Sequence, residues 1–320
     1  MRCYIAIDSG GTKTDAVLFD ESGQVLWREL SKGCNPNDIG LPAAQAQLVE
    51  TIRRVSGHAP NGITGVYAGV AGSVFFHEEM DQYVREHICT QHWRLENDGG
   101  NMITGELGLQ DGCCLICGTG SVLIIRKSGQ PWVCLGGRGY LIDTDGSGFR
   151  LGQELLKAAF RDRDGRTAKT VIPELIEQKS GEALENVVTR VYAEGRPYIA
   201  SFAQLVFEGA QKGDWACKKI MDEGAVHVAD LTWAAAKHFE GRFPVVMGGG
   251  ILTAYPEYAE LVREKACPKA ELIGATAPPV YGSAVEAMAD SGLACNELFK
   301  QRFLQTYRSV ENCDAGRFCV

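Results

Sequence analysis

The sequence DSGGTKT, residues 8–14, stands between two apolar segments, and the pattern around it decides the fold class. The segment before it, Cys3–Ile7, is predicted to be a short buried strand, and the alternating segment after it, Asp15–Phe19, a second strand. A polar turn at residues 20–23 then leads into a third predicted strand at Gln24–Trp27. The unit is therefore a strand, a glycine-rich loop, a strand, a turn and a strand.

The same unit occurs a second time, about one domain length further along the chain. Its first strand is predicted at Cys113–Cys117, its loop at Gly118–Ser121 and its second strand at Val122–Arg126. A polar turn at residues 127–130 and a third strand at Pro131–Leu135 complete the unit. The repeat indicates an α/β protein that contains a duplicated half.

Both glycine-rich loops are candidate phosphate-binding sites. Glycine lets backbone N–H groups come close to an anion, and threonine and serine hydroxyls add further donors. The candidate residues are Gly10, Gly11, Thr12, Lys13, Gly118, Thr119, Gly120 and Ser121. Lys13 is either an additional phosphate contact or a solvated charge. A single loop would favour an ordinary hairpin turn, whereas two copies favour loops that hold a polyphosphate between two domains.

Length and charge narrow the class of protein. A chain of 320 residues predicts two domains, which we expect at residues 1–110 and 111–320, with the last helix able to pack back on the first domain. The net charge is −8 and no basic run is present, so we expect no nucleic-acid partner. No apolar stretch is long enough to span a membrane, and the first residues read as a strand rather than a signal peptide. We therefore expect no membrane partner and a cytoplasmic enzyme.

The chain contains 12 cysteines, but a disulfide framework is not expected in a chain of this size without a leader. Cys114 and Cys117 form a C-x-x-C sequence in a predicted strand, where the two side chains would not share a face. No second such pair and no histidine partner follows. We therefore expect buried thiols rather than a metal or redox site.

The sequence ENDGGN at residues 96–101 places Asp98 shortly before a predicted helix. A helix is predicted to begin near Ile103, and aspartate is favoured at helix N-caps, so the spacing alone favours a cap. A positioned carboxylate can instead accept the proton of a hydroxyl group, which is a poor nucleophile without such a base.

Four short sequences together resemble a known family. DSGGTKTD (residues 8–15) and CGTGS (residues 117–121) resemble the two phosphate motifs of the actin/hexokinase/Hsp70 superfamily. GGRGY (residues 136–140) and DGSG (residues 145–148) narrow the resemblance to the BadF/BadG/BcrA/BcrD ATPase family, in its N-acetylglucosamine kinase-like branch. The segments 208–214 and 248–250 also fit this branch. The resemblance covers nearly the whole chain.

The resemblance implies two ribonuclease-H-like (actin-like ATPase) domains around an interdomain nucleotide cleft. It implies ATP and Mg²⁺ as cofactors, and transfer of the γ-phosphoryl group to the 6-hydroxyl of N-acetylglucosamine or a related amino sugar, glucosamine or N-acetylmuramic acid. Asp8 corresponds to the carboxylate associated with the hydrated metal, which suits Mg²⁺. Asp98 corresponds to the catalytic base and Asn35 to an asparagine that binds the sugar. The further nucleotide-binding residues implied are Ala200, Gly248, Gly249 and Gly250.

The remaining sugar-binding residues depart in part from the family pattern. Gly137 and Arg138 stand at the sugar-facing strand end, where animal N-acetylglucosamine kinases carry tryptophan in place of Arg138 and bacterial glucosamine kinases can carry arginine. Thr144 stands where the family has a sugar-binding aspartate, and Asp143 or Asp145 is the expected substitute. Arg138 would also suit an acidic substituent, such as the lactyl group of N-acetylmuramic acid.

Two alternative functions stay open, and both come from other classes. Some family members are ATPases that activate a dehydratase or reductase through a [4Fe–4S] cluster shared by two subunits, and the many cysteines keep this alternative open. The second alternative is a binding or regulatory module that kept the fold without catalysis. For partners, we expect a small-molecule sugar and a homodimer.

Overall fold

The computed structural model describes residues 1–314, with the side chains of residues 1–310, and divides into two compact units. The first unit contains Met1–Gln110 and the described residues from Ala275, and the second contains Asp111–Gly274. The expected second domain spans residues 111–320 apart from a last helix, whereas the chain returns to the first unit already at Ala275. The reason is the apolar segment 279–290, which packs on one face of the first sheet.

The first unit contains a mixed five-stranded sheet in the order β3-β2-β1-β4-β5. The strands are β1 (Cys3–Ser9), β2 (Lys13–Asp20), β3 (Val25–Lys32), β4 (Gly65–Val70) and β5 (His92–Glu96). The helices of this unit, numbered along the whole chain, are α1 (Pro36–Ile39), α2 (Leu41–Ser56), α3 (His77–His87), α4 (Gly99–Leu107), α13 (Pro279–Asp290) and α14 (Glu297–Asp314). β1 runs antiparallel to β2 and parallel to β4.

The central strand β1 is buried on both of its faces, which explains its continuous apolar sequence. On one face, Ile5 and Ile7 pack in a cluster with side chains of α2 and α3. On the other face, Tyr4 and Ala6 pack with side chains of α13 and α14. The apolar sequence stops at Asp8, the first candidate site residue, which lies near the end of β1.

The second unit repeats this sheet, in the order β10-β9-β6-β7-β8. The strands are β6 (Gly112–Cys117), β7 (Ser121–Arg126), β8 (Val133–Gly136), β9 (Phe243–Gly248) and β10 (Ala270–Gly274). The helices are α5 (Gly148–Arg163), α6 (Ile172–Ser180), α7 (Leu184–Glu194), α8 (Arg196–Ser201), α9 (Ala203–Gln211), α10 (Trp215–Ala235), α11 (Gly250–Ala254) and α12 (Pro256–Lys265). β6 runs antiparallel to β7 and parallel to β9, as β1 does to β2 and β4. The predicted duplication is confirmed.

The helical part of the second unit differs from the sequence prediction in two places. The amphipathic spacing over Tyr198–Lys212 predicts one helix, whereas the structure has two, α8 and α9, separated at Phe202, whose ring is buried in the core. The helices α6 and α7 were not predicted. Their buried residues include Leu175 and Val187, which join the same apolar cluster as the strands of the second sheet.

The cysteines of the second unit lie where a buried thiol is expected. Cys113 and Cys117 face the main core of this unit together with Leu115, and the alternation of the strand turns Cys114 to the opposite face. All three thiols are fully buried, and burial raises the pKa of Cys113 and Cys117 to about 12. Thiols in this setting stay protonated at neutral pH.

Candidate active site

The first glycine-rich loop, residues 10–12, joins β1 to β2. The N–H group of Gly10 donates to the carbonyl oxygen of Lys13 across 2.9 Å, which closes the loop. Gly11, Thr12 and Lys13 are exposed. Within the described residues, the N–H groups of Gly11 and Thr12 donate no hydrogen bond, so both are available to an anion.

The second loop, residues 118–120, is held by its own turn and by the start of α5. The N–H group of Gly118 donates to Gly120 O across 2.8 Å. Gly148 and Phe149, at the start of α5, donate to the carbonyl oxygens of Gly118 and Thr119 across 2.7 and 3.2 Å. The N–H groups of Thr119 and Gly120 donate to no group in the described chain. The second loop therefore offers the same two free donors as the first.

The glycines at the end of β9 lie against this second loop. Gly249 has φ +92° and is the N-cap residue of α11, and a Cβ there would lie 2.5 Å from the carbonyl oxygen of Cys117. A Cβ on Gly118 would lie 3.6 Å from the nitrogen of Gly250. The structure thus brings the predicted residues Gly118–Ser121 and Gly248–Gly250 together. Ser121 itself is buried in β7, and its hydroxyl donates to the carbonyl oxygen of Asp145.

Asp8 lies near the end of β1, opposite Asp15 in the antiparallel pair with β2. Its Oδ1 accepts a hydrogen bond from Nδ2 of Asn101 across 2.6 Å. Burial and, second to it, the charge of Asp98 raise the pKa of Asp8 to about 7, and the hydrogen bond from Asn101 opposes the shift. The first unit therefore places two carboxylates that repel each other beside the first glycine-rich loop.

Asp98 stands at the N-cap position of α4, and Asn97 separates it from the end of β5. Its side chain makes no capping hydrogen bond, and the side chain of Asn97 instead accepts from the N–H group of Gly99 across 3.0 Å. Burial raises the pKa of Asp98 to about 6, and nearby backbone N–H groups of Gly99 and Asp98 partly offset the shift. The helix begins at Gly99, four residues before the predicted start near Ile103, so Asp98 occupies the N-cap position. Its carboxylate nevertheless does not cap the helix.

Asn101 is a site residue that the sequence analysis did not predict. It is fully buried in α4, and three neighbouring groups fix its position. A Cβ on Gly69 would overlap its side-chain amide, and a Cβ on Gly282 would overlap its carbonyl oxygen. Nδ2 donates to Asp8, whereas Oδ1 is buried without a hydrogen-bond partner among the described residues. The only sequence signal was a polar residue on the buried face of a short helix.

Asn35 is used in a local turn of the first unit. Its Oδ1 accepts from the N–H group of Asn37 across 3.0 Å, which caps α1, and its Nδ2 donates to Asp38 across 2.9 Å. A Cβ on Gly72 would overlap the Asn35 side chain, so the chain after β4 passes close to this turn. A sugar contact from Asn35 would compete with these bonds.

Of the two acidic residues between β8 and α5, one forms an ion pair and the other does not. Asp145 accepts from Nε of Arg150 across 2.6 Å. Thr144 is buried and its hydroxyl donates to Ser147, the N-cap residue of α5. Asp143 is partly buried and makes no ion pair with a described residue. Of the two expected substitutes for the family aspartate, Asp143 is the one with a free carboxylate.

The remaining predicted residues lie in the second unit. Gly137 has φ +69°, which a residue with a side chain rarely adopts, and follows β8 directly. Arg138 is exposed and donates to the carbonyl oxygen of Cys134 across 3.3 Å. Ala200 is partly buried in α8.

Among the described residues, no group of three or more histidine, cysteine, aspartate or glutamate side chains is arranged to hold a metal ion. No helix in the described part of the chain is both long enough and apolar enough to cross a membrane.

The geometry can be compared with known proteins. The model of the BadF/BadG/BcrA/BcrD ATPase family matches residues 5–287. The chain belongs to this family. The resemblance noted in the sequence is therefore confirmed.

Relatives and solved structures agree with this family. An N-acetyl-D-glucosamine kinase of Dictyostelium discoideum is 28% identical over 89% of this chain and 97% of its own length. An N-acetylmuramic acid/N-acetylglucosamine kinase of Clostridium acetobutylicum is 25% identical over 70% of this chain and 76% of its own. A crystal structure from Chromobacterium violaceum, provisionally described as an N-acetylglucosamine kinase, has a TM-score of 0.70 at 19% identity and covers 88% of this chain and 98% of its own. At that identity the last likeness shows the fold alone, and it confirms the predicted α/β class.

Proposed function

We propose that the protein is an ATP-dependent carbohydrate kinase that phosphorylates the 6-hydroxyl of N-acetylglucosamine or a related amino sugar. Family membership supports the class of reaction, and the curated relatives that cover most of the chain are named as kinases of such sugars. A glucosamine kinase of Vibrio cholerae, 24% identical over 78% of this chain and 85% of its own, belongs to the same group.

The observation that carries the proposal is the state of Asp98. Its carboxylate is partly buried, makes no capping bond, and has a pKa of about 6, so it is ionised at neutral pH and still basic enough to accept a proton. A general base works best when its pKa lies near the working pH. Asp98 would accept the proton of the sugar hydroxyl as that oxygen attacks the γ-phosphorus.

The two glycine-rich loops would bind the phosphates of ATP. Each offers two backbone N–H groups that donate to no described residue, at Gly11 and Thr12 in one loop and at Thr119 and Gly120 in the other. Fixed donors of this kind stabilise the charge that develops on a transferring phosphoryl group. The exposed hydroxyls of Thr12 and Thr119 would add contacts.

The residues around Asp8 fit a magnesium ion bound mainly through phosphate and water. Asp8 and Asp98 repel each other enough to raise the pKa of Asp8, and a divalent cation would relieve that repulsion. Mg²⁺ usually binds proteins through one or two carboxylates together with substrate phosphates, so a single aspartate is an adequate ligand. When bound, the ion would neutralise charge on the phosphates of ATP.

Two residues of the second unit would select the sugar. Asp143 has the free carboxylate expected to accept hydrogen bonds from sugar hydroxyls, while Asp145 is paired with Arg150. The exposed guanidinium of Arg138 would suit an acidic substituent, which makes N-acetylmuramic acid a substrate to test beside N-acetylglucosamine and glucosamine.

The test is an ADP-release assay over these sugars and glucose, with the Asp98→Asn variant. We expect sugar-dependent ADP release by the wild type and its near-complete loss in D98N, with ADP binding retained. The matched control is Glu96→Gln, a partly buried acid two residues earlier whose removal should leave turnover within a few-fold. Turnover at the wild-type level in D98N would refute the assignment of the base. Absence of ADP release with every sugar tested would refute the kinase.

The expectation of a homodimer and of no nucleic-acid partner stays a prediction. Sedimentation of the purified protein would measure the first, and a binding titration with duplex DNA and with RNA the second.

A further inference from the structure

Arg196 is the first residue of α8, and its side chain extends to the second glycine-rich loop. A Cβ built on Gly120 would lie 3.3 Å from Nη2 of Arg196 and 3.4 Å from Oγ1 of Thr144. The guanidinium therefore lies directly beside the backbone of Gly120, in the space that a side chain at this position would occupy.

The charge of Arg196 is not balanced by an acidic side chain. Arg196 makes no ion pair with any described residue, and its Nε is buried without a hydrogen-bond partner. Two other arginines of the second unit are paired, Arg150 with Asp145 at 2.6 Å and Arg190 with Glu194 at 2.7 Å. A partly buried guanidinium without a partner is costly, since it loses hydration and gains no opposite charge.

The nearest aromatic ring does not replace that charge. Cζ of Arg196 lies 5.7 Å from the centre of the Tyr140 ring, near the limit of a cation–π contact. The ring of Tyr140 is itself held edge-on against Phe149, at 5.2 Å between centres. The contact orients the arginine but leaves its N–H groups available.

We propose that Arg196 binds a phosphate group of the nucleotide at the second glycine-rich loop. The inference rests on the proposed function and adds a side-chain cation to the backbone donors of Thr119 and Gly120. A guanidinium presents a planar fork of N–H groups that matches phosphate oxygens, and such charge-assisted bonds are about twice as strong as neutral ones. Arg196 thus supplies the opposite charge that its own surroundings lack.

The position of α8 supports the same assignment. Ala200 follows Arg196 by four residues, so both lie on one face of the helix. Gly152 of α5 lets this helix come close, because a Cβ there would overlap the carbonyl oxygen of Ile199. With Ala200 on the adenosine side, as expected from the family, α8 would follow the nucleotide from its base towards its phosphates.

The experiment measures ADP, AMP and adenosine binding by calorimetry in the wild type, Arg196→Gln and Arg196→Lys. In R196Q we expect ADP affinity to fall roughly 10- to 100-fold, the range typical of a lost hydrogen bond to a charged group, with adenosine affinity unchanged. R196K keeps the positive charge but not the planar fork of N–H groups, so its ADP affinity should lie between those of the wild type and R196Q. The matched control is Arg190→Gln, which removes a paired arginine from the neighbouring helix α7 and should bind all three ligands as the wild type does.

The outcomes separate this inference from the proposed function. ADP binding by R196Q at the wild-type affinity would overturn the role of Arg196 and leave the kinase proposal intact. The role of Arg196 would also be overturned if R196Q lost ADP and adenosine affinity equally, or if R190Q lost as much ADP affinity as R196Q. In either case Arg196 would only support the fold. If R196Q does not fold, the ratio of ADP to adenosine affinity in R196K decides, and an unchanged ratio contradicts the role. A wild type that binds no adenine nucleotide refutes both proposals.

Discussion

Nδ2 of Asn101 lies 2.6 Å from Oδ1 of Asp8, and this hydrogen bond joins the helix that follows Asp98 to the strand that precedes the first glycine-rich loop. The bond spans 93 positions of the sequence. It orients the Asp8 carboxylate, because the Asn101 side chain that donates it is fully buried.

The first prediction concerns this bond. We expect Asn101→Ala to lower kcat about tenfold or more and to raise the Mg²⁺ concentration needed for half-maximal rate, because the Asp8 carboxylate loses its orientation and its pKa rises further. A titration of the rate with Mg²⁺ measures both. A second readout is Mn²⁺ binding in the presence of ADP, followed by electron paramagnetic resonance.

The control for this prediction is Thr104→Val. Thr104 lies one turn later on α4 and donates to Glu286, so its loss disturbs the packing of the helix without touching Asp8. If T104V changes the Mg²⁺ dependence as much as N101A does, Asn101 acts only through the stability of the helix.

The second prediction concerns the pH dependence of the reaction. Asp98 must be ionised to accept a proton. At saturating Mg²⁺, which favours the ionised form of Asp8, the pKa of about 6 of Asp98 in the free protein places the acid limb of kcat/KM near pH 6 instead of near pH 4. Below that point the rate should fall about tenfold per pH unit. A profile of kcat/KM over pH 4.5 to 8.5 tests this, and a flat profile down to pH 5 would contradict it.

The third prediction is a gain of stability in Asp98→Asn. The pKa of Asp98 is raised in the folded state, so the folded protein holds this proton more tightly than the unfolded chain does. The resulting stabilisation is complete below about pH 4 and is lost as the pH rises through about 6. At pH 8 the ionised group costs at most about 3 kcal/mol, which D98N removes.

Thermal unfolding at pH 4.5 and pH 8 measures this effect. The melting temperature of D98N should exceed that of the wild type at pH 8, and the difference should shrink at pH 4.5. Asp145→Asn loses an ion pair with Arg150 and should show no gain at pH 8. Equal melting temperatures of D98N and the wild type at pH 8 would argue against a destabilising carboxylate.

The fourth prediction tests the close packing of α4 on α13. A Cβ on Gly282 would overlap the carbonyl oxygen of Asn101, so Gly282→Ala should lower the free energy of unfolding by about 1–3 kcal/mol. A Cβ on Gly105 would lie 3.7 Å from the nitrogen of Gly282, an ordinary contact. Gly105→Ala should therefore be neutral or stabilising by up to about 1 kcal/mol, since alanine is the better helix former. Denaturant unfolding measures the free energy of unfolding of both variants. Equal values for G282A and G105A would mean that α4 and α13 can move apart at little cost.

The fifth prediction separates the two acidic neighbours of Thr144. We expect Asp143→Asn to raise the KM for the sugar about tenfold with little change in the KM for ATP, because its free carboxylate would bind sugar hydroxyls. Asp145→Asn should change the sugar KM less, since that carboxylate is occupied by Arg150. The reverse order would assign the sugar contact to Asp145.

The duplicated unit could be predicted because its signals are local. An apolar strand, a glycine loop and an alternating strand follow one another within about 20 residues in each copy, and the sheets have the expected neighbours β1 with β2 and β6 with β7. The parallel neighbours β4 and β9 are far from β1 and β6 in the sequence, and strand patterns alone do not pair them.

The residues that the sequence analysis missed depend on distant contacts. Asn101 has a role only because β1 and α4 are adjacent in the fold, and Arg196 only because α8 lies on α5. For Asp98 the local pattern favoured a cap, and the structure shows that Asn97 accepts the N–H group of Gly99 instead. Short motifs predict which residue types form a site. The contacts that orient those side chains depend on packing between segments that are distant in the sequence.

The first unit is assembled from two stretches of chain separated by the whole second unit, and this has a consequence for biosynthesis. On the ribosome, the sheet face that carries Tyr4, Val17 and Phe19 stays uncovered until α13 and α14 have been translated. The nascent segment Met1–Gln110 therefore exposes an aromatic surface. The second unit, which is continuous in sequence, can fold before this surface is covered. The first unit should therefore complete its folding only after the second unit has been translated. Until then, the uncovered face of its sheet would be a binding surface for chaperones.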